Sequence, residues 1–172
     1  MKCVTRALAS LLLLATPVAA SESPLTGEWA VEEGLAHIRV ENCGGRFWGV
    51  VAWEKKPGVD RLNPDQSKRR LPTLGMPVLL AMKQTRPNHG EGKIYNSENG
   101  KIYSGSITLT SPDVLRVEGC VLGFLCGGQD WTRVTPGQDP TGAPRSAQTE
   151  EAAPLTVQEF CANIVRRAGS AH

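Results

Sequence analysis

Apolar and polar residues alternate along much of this chain. Within the run from Leu35 to Glu41 the apolar side chains point one way, while His37, Arg39 and Glu41 point the other. A period of two is typical of a β-strand with one face buried and the other in solvent. The pattern therefore predicts a strand here, with His37 on its solvated face.

Similar short runs, separated by turn residues, recur from Pro24 to Val134. Their number and spacing are typical of an up-and-down barrel or a sandwich. We predict an all-β fold, a single antiparallel up-and-down barrel of about eight strands. The predicted strand segments are Thr26–Glu32, Leu35–Glu41, Arg46–Glu54, Met76–Lys83, the two arms of a hairpin at Gly92–Ser104 (the second continuing to Thr110), Val114–Cys120 and Gln129–Val134.

The mid-chain hairpin is the most regular of these elements. It repeats Gly-Lys-Ile-Tyr on both sides of Asn99-Gly100, residues that tolerate the positive φ of a tight turn. We expect Tyr95 and Tyr103 to be cross-strand partners that set its register.

The two ends of the chain differ from this body. Residues 1–20 combine the basic Lys2 and Arg6, a short apolar run and Val18-Ala19-Ala20, which predicts a signal peptide cleaved between Ala20 and Ser21. The run is too short for a membrane span. The predicted location is the periplasm or outside the cell, and no transmembrane segment is predicted.

Beyond the β-rich domain, assigned to 21–135, residues 136–154 are rich in Pro, Gly and Ala, which predicts a flexible linker. Residues 155–172 hold a short C-terminal helix and tail. Thr156 and Glu159 have the spacing of a capping box at the start of this helix.

Charge argues against a nucleic-acid partner. The chain has 19 Lys and Arg against 17 Asp and Glu, but Lys2 and Arg6 belong to the leader, which leaves 17 of each. Nucleic-acid binders carry a basic excess.

Four cysteines follow the leader, and an oxidising compartment favours disulfides among them in one of three connectivities. The short glycine-containing loop between Cys120 and Cys126 favours a local bridge. Cys43 would then pair with Cys161 and tether the C-terminal helix. Spacing does not favour a metal site.

Trp29 and Arg133 lie in the first and last predicted strands, which are neighbours in a closed barrel. The Arg133 guanidinium could then stack on the Trp29 indole and lock the closure, a contact worth roughly 0.5–2 kcal/mol.

The irregular segment 55–75 is the densest in polar residues, and long loops often carry function. Its arginines could clamp an anion, or could simply pair with Asp60 and Asp65. The candidate ligand-binding residues are Asp60, Asn63, Arg69 and Arg70, with Trp48 and Tyr103 as apolar wall.

Catalytic motifs are not found. The sequence has no Gly-x-Ser-x-Gly elbow, phosphate-binding glycine loop or His-Glu-x-x-His, and His37, His89 and His172 are scattered. We therefore expect a non-enzymatic protein without catalytic residues, cofactor or metal.

Several segments, taken together and in order, resemble the DUF2147 family of exported bacterial proteins of unknown function. They are Gly27-Glu28-Trp29, Cys43-Gly44-Gly45, Asp60 with Asn63-Pro64, Gly92–Tyr95, Asn99–Tyr103, Gly119-Cys120, Cys126 and Trp131–Arg133. The resemblance implies a lipocalin-like antiparallel barrel. Family members usually have a second cysteine shortly after Cys-Gly-Gly, where this chain has Trp48, so Cys161 would replace the local partner of Cys43.

These observations predict an exported binder of a small, partly apolar molecule held in the barrel mouth. The alternative is an envelope protein-binding, inhibitor or structural module that uses the 55–75 loop, with a barrel filled by its own side chains.

Overall fold

Eight antiparallel strands form a closed barrel in the computed structural model, which describes residues 23–135 and 155–168. Each strand pairs with the next in the chain, and β1 pairs with β8 through Trp29–Arg133. The predicted up-and-down barrel is thus confirmed. Its strands are β1 (Gly27–Ala30), β2 (Ala36–Cys43), β3 (Arg46–Glu54), β4 (Pro77–Arg86), β5 (His89–Asn96), β6 (Lys101–Ser111), β7 (Val114–Val121) and β8 (Leu125–Arg133).

Three earlier predictions fall on other parts of the chain. The leader at 1–20, the linker at 136–154 and the tail after residue 168 lie outside the described residues.

Several strands differ in length from their predictions, and β1 and β8 show two causes. β1 ends at Ala30, because the chain turns into a 3₁₀ helix at Glu32–Gly34 in which Glu33 has φ 64°. β8 begins at Leu125 instead of Gln129, because the ladder with β7 continues past Gly127 and Gly128. Glycines carry no side-chain pattern, so the alternation rule misses them.

The barrel interior is filled by buried side chains from every strand but β5, whose half-buried Ile94 packs against them. On β3, Phe47 and Val51 point inward and are buried, while Trp48 and Val50 between them point outward. Gly49 also faces inward, where the side chains of Leu79 and Ile38 occupy the space that a Cβ would need. The interior set comprises Trp29, Ile38, Val40, Phe47, Val51, Leu79, Met82, Ile107, Leu115, Val117 and Trp131.

His37 is buried, so its prediction as a solvated residue was wrong. Only 1% of it is exposed; Nδ1 lies 2.6 Å from the Glu28 carboxylate, and its ring centroid is 4.9 Å from that of Trp53. The β2–β3 pairing shifts between His37 and Ile38. Alternation identifies the face on which a residue lies but not what covers it.

Barrel closure is locked by one arginine. The Arg133 guanidinium lies 4.0 Å from the centroid of the Trp29 ring. It also donates hydrogen bonds to the backbone carbonyls of Pro24, Thr26 and Pro112 at 2.8–3.0 Å. Arg133 therefore joins the segment before β1 to the end of β8.

The C-terminal helix, α1 (Val157–Ala168), begins at the predicted capping box. Glu159 N–H donates to Thr156 Oγ1 at 3.2 Å, and Thr156 N–H donates to the Glu159 carboxylate at 2.9 Å. The hydrogen bonds that the Thr156 N–H and hydroxyl donate to this carboxylate lower the pKa of Glu159. The described parts of the chain contain no helix long and apolar enough to cross a membrane.

Candidate functional site

One outer face of the barrel is apolar where solvent would favour polar residues. Trp48 on β3, Leu80 on β4 and Ile102 on β6 point outward, opposite in direction to the interior residues next to them. Tyr95 on β5 shares this face, because it is paired with Ile102. An apolar outer face requires a covering segment.

The first covering segment is 55–76, between β3 and β4. It folds back on itself: Val59 bridges Pro72, and Asp60 N–H donates to the Leu71 carbonyl at 3.2 Å. Thr73 Oγ1 donates to the Glu54 carboxylate, with oxygens 2.7 and 2.8 Å away. These bonds give a segment with little regular secondary structure a defined shape.

Asp60 attaches this segment to the barrel wall. It is 3% exposed and accepts hydrogen bonds from Tyr95 Oη, at 2.7 and 2.9 Å, and from Asn63 Nδ2, at 2.6 Å. Burial raises the pKa of Tyr95 well above its usual value, and the hydrogen bond to Asp60 and the charge of Asp60 add to the rise. Tyr95 thus acts as a protonated donor.

The turn of the mid-chain hairpin also contacts segment 55–76. Gly100 has φ +67°, and a Cβ there would lie 1.9 Å from the Leu62 carbonyl oxygen. The Asn-Gly turn therefore meets two requirements, a left-handed backbone and close approach of a second backbone. The predicted pairing of Tyr95 with Tyr103 was wrong: Tyr103 pairs with Ile94, so the two tyrosines lie on opposite faces of the sheet.

The second covering element is α1. Its buried residues Phe160 and Ile164 face the barrel, and the Arg39 guanidinium lies 5.4 Å from the Phe160 ring centroid. The predicted disulfide between Cys43 and Cys161 is present and fixes the helix to the end of β2. At the other end of the helix, an Arg167 side-chain nitrogen lies 3.5 Å from the Leu74 carbonyl oxygen.

A cavity of about 580 Å³ lies between this outer wall and its two covers. Its surface is mainly apolar, with a group of cations contributed by segment 55–76 and α1. The lining residues are Trp48, Asp60, Asn63, Pro64, Asp65, Ser67, Lys68, Leu71, Pro72, Met76, Pro77, Leu80, Tyr95, Ile102, Arg166 and Arg167.

Three of the predicted candidates, Trp48, Asp60 and Asn63, line the cavity. Arg69, Arg70 and Tyr103 do not. Arg69 instead donates from Nε to the Asn63 carbonyl at 2.8 Å, and the Tyr103 hydroxyl accepts a hydrogen bond from Asn99 at 2.9 Å. Arg70 is exposed.

Sequence reasoning missed Tyr95, Lys68, Arg166 and Arg167 as lining residues. Trp48 was the available signal, since a large aromatic side chain at an outward position calls for a covering element. The helical arginines gave no such signal, because their approach to the cavity depends on how α1 crosses the barrel.

The second predicted disulfide, Cys120–Cys126, is also present and links the ends of the β7–β8 turn. The turn exposes large apolar side chains: Leu122 is 79% and Phe124 73% exposed. Among the described residues, no group of three or more His, Cys, Asp or Glu is placed to hold a metal ion.

Comparisons with known proteins agree with this architecture. A family model described as "Uncharacterized protein conserved in bacteria (DUF2147)" matches residues 27–133. A solved structure described as "Protein HP1028 from the human pathogen Helicobacter pylori belongs to the lipocalin family" is similar to the chain, with TM-score 0.65 and 19% identity, covering 81% of this chain and 97% of that one. No curated protein matches the sequence. Because the family model spans the barrel from β1 to β8, more than half of the sequence, this chain belongs to the DUF2147 family of uncharacterised bacterial proteins.

Proposed function

We propose that this protein is a non-enzymatic binder of a small, partly apolar molecule, and that the cavity on the outer wall of the barrel is its site. The observation that carries the proposal is the cavity itself, about 580 Å³ in volume and lined mainly by apolar side chains with a few polar groups. Ligand sites in proteins have this size and composition.

The site differs from the barrel mouth that the sequence suggested. The barrel interior is occupied by its own side chains, and Trp29, Phe47 and Leu79 in it are 0% exposed. The cavity needs two long-range covers, segment 55–76 and α1. Both covers are anchored, by the Tyr95–Asp60 hydrogen bonds and by the Cys43–Cys161 disulfide.

Export to an oxidising compartment fits this proposal. Disulfides persist outside the cytosol, and the four cysteines beyond the predicted leader form two of them. The lining carboxylate of Asp60 is engaged by Tyr95 and Asn63, an arrangement that suits a structural anchor better than a catalytic acid or base.

Native mass spectrometry of protein purified from its natural host tests the proposal. We expect a co-purifying small molecule that is released on denaturation. Leu80→Trp, which fills the cavity, should abolish retention. Lys93→Trp is the matched control, because Lys93 faces Leu80 across the β4–β5 pair but does not line the cavity. An empty wild-type protein, or equal retention by both variants, would contradict the proposal.

A second function, docking of a partner protein in the cell envelope, is favoured by the exposed turn between Cys120 and Cys126. Leu122 and Phe124 there are 79% and 73% exposed, and the disulfide holds the turn closed. Exposed apolar patches often mark interaction sites. The same experiment separates the two functions: a stoichiometric protein complex that Leu122→Ser/Phe124→Ser abolishes would support docking.

A further inference from the structure

We infer that the ligand of the outer-wall cavity is an amphiphilic anion, a carboxylate attached to an aliphatic chain. This inference rests on the proposed function and names the class of molecule that the site selects. It is carried by the cations on the lining, their position relative to the apolar wall, and the way in which the lining acids are already engaged.

Three cations line the cavity on the side where α1 meets segment 55–76. Lys68 belongs to a 3₁₀ helix at Gln66–Lys68, and its Nζ lies 3.2 Å from the Arg167 carbonyl oxygen. Arg166 and Arg167 occupy the last turn of α1. The Arg167 guanidinium lies 3.5 Å from the position that a Cβ of Gly75 would take. Lys68 and the last turn of α1 therefore come together at one edge of the site.

Cations at a helix C-terminus also have a structural role, since they offset the negative end of the helix dipole. The contact with the Arg167 carbonyl occupies one donor of the Lys68 ammonium, which has three, and a guanidinium has five. The Lys68 contact with the helix end, and the Arg167 contact with the Leu74 carbonyl at 3.5 Å, therefore leave donors for an anion. Arginine is also suited to gripping a carboxylate with two parallel hydrogen bonds.

The two lining acids are held by partners of their own. Asp60 accepts from Tyr95 and Asn63. Asp65 accepts from Ser67 N–H at 3.0 Å and Ser67 Oγ at 2.7 Å, and these bonds lower the pKa of its carboxyl. Asp65 is 3.9 Å from Lys68, at the limit of an ion pair. Because both acids are already engaged, the donors that Lys68 and Arg167 keep favour a negative ligand.

The rest of the lining suits an aliphatic chain. Trp48, Met76 and Leu80 form an apolar wall, and Leu71 and Ile102 extend it. A chain against this wall would be removed from water at roughly 25 cal/mol per Å² of apolar surface. The inferred ligand therefore places its anionic head group at the cations and its aliphatic tail along Trp48.

Fluorescence quenching provides a direct test, because a bromine atom quenches the tryptophan that it contacts. Three probes share one chain and differ in head group: 12-bromododecanoate, 12-bromododecanol and (12-bromododecyl)trimethylammonium, each below its micelle concentration. Of the four tryptophans, Trp48 lines the cavity, Trp29 and Trp131 are buried in the barrel interior, and Trp53 lies against His37. Quenching that is absent in Trp48→Phe is therefore assigned to this site.

We expect 12-bromododecanoate to bind at least tenfold more tightly than the trimethylammonium probe. Lys68→Gln/Arg167→Gln should remove that preference, and should weaken binding of the carboxylate more than binding of the alcohol. Lys56→Gln/Arg61→Gln is the matched control, because both residues are exposed in the same segment and neither lines the cavity. It should behave as wild type.

Equal affinities of the wild-type protein for all three probes, or a preference for the cationic probe, would overturn the inference while leaving the proposed function intact. Failure of every probe to quench Trp48, together with an empty protein from the natural host, would overturn the proposed function itself. The comparison of probes uses the wild-type protein, so the inference stays testable if a variant does not fold.

Discussion

The hydroxyl of Tyr95 donates to the buried carboxylate of Asp60, with oxygens 2.7 and 2.9 Å away, across 35 residues of sequence. Tyr95 belongs to the repeated motif of the mid-chain hairpin, and Asp60 begins the Asp-x-x-Asn-Pro motif of segment 55–76. The contact joins two family motifs whose connection is not visible in the sequence. It also holds segment 55–76, which covers the cavity, against the barrel wall.

Removing the Tyr95 hydroxyl should therefore destabilise the protein. In Tyr95→Phe the ring stays and the buried Asp60 carboxylate loses a donor, which should cost about 1.5–3 kcal/mol of unfolding free energy. Urea denaturation measures this loss. Tyr103→Phe is the matched control, since its hydroxyl accepts a hydrogen bond from the exposed Asn99, and it should change stability by less than about 0.5 kcal/mol. Equal losses in the two variants would contradict the anchoring role.

The same contact predicts a dependence on alkaline pH. Because the pKa of Tyr95 is raised in the folded protein, the folded state keeps a proton that the unfolded chain releases near pH 10. The stability from this contact is complete below about pH 10 and is lost as the pH rises further. The difference in unfolding free energy between wild type and Tyr95→Phe should be smaller at about pH 11 than at about pH 8. A constant difference would argue against the raised pKa.

Gly100→Ala should displace segment 55–76 from the hairpin. The new Cβ would lie 1.9 Å from the Leu62 carbonyl oxygen, and the backbone has φ +67°. Gly123→Ala is the matched control, because Gly123 has φ +80° but open space around its Cβ position. The control should lose about 1 kcal/mol from backbone strain, and Gly100→Ala clearly more. Amide exchange should show faster exchange around Asp60 in Gly100→Ala alone.

The two disulfides should differ in their contribution to stability. Cys43–Cys161 closes a loop with a sequence separation of 118, and Cys120–Cys126 one of 6. In the chain-entropy model, replacing both cysteines by serine should cost about 5 kcal/mol for the first bridge and about 2 kcal/mol for the second. Urea denaturation of the two double variants compares them. A larger loss from Cys120→Ser/Cys126→Ser would show that constraint of the unfolded chain does not dominate.

Arg133→Gln should weaken the closure of the barrel between β1 and β8. The change removes the stacking on Trp29 and three hydrogen bonds to backbone carbonyls, for an expected loss of about 2–4 kcal/mol. Arg116→Gln is the control. It removes an arginine whose carboxylate partners, Glu118 and Asp130, are exposed enough that the loss should stay below about 1 kcal/mol. Comparable losses would mean that Arg133 has no special role in closure.

The site could be predicted only in part. Trp48 was predicted from its residue type, and Asp60 and Asn63 from their place in a long polar loop. All three line the cavity. Arg69 and Arg70 were predicted from the same polar loop, but they do not line the cavity. A run of charges does not show which side chain turns inward, because that depends on which backbone carbonyls lie nearby, as the Arg69–Asn63 bond illustrates.

Features that depend on interactions between residues close in sequence could be predicted from the sequence alone. A period of two marks strands, a Thr-x-x-Glu spacing marks the start of α1, and a six-residue separation favours the Cys120–Cys126 bridge. Closure of the barrel was predicted from the number of strands and from the Trp29–Arg133 pair. The tertiary structure alone decided on which side of the barrel wall the cavity lies. Alternation separates the two faces of a strand but does not say what covers the outer one, and here the covers are segment 55–76 and a helix held by a cysteine 118 residues away.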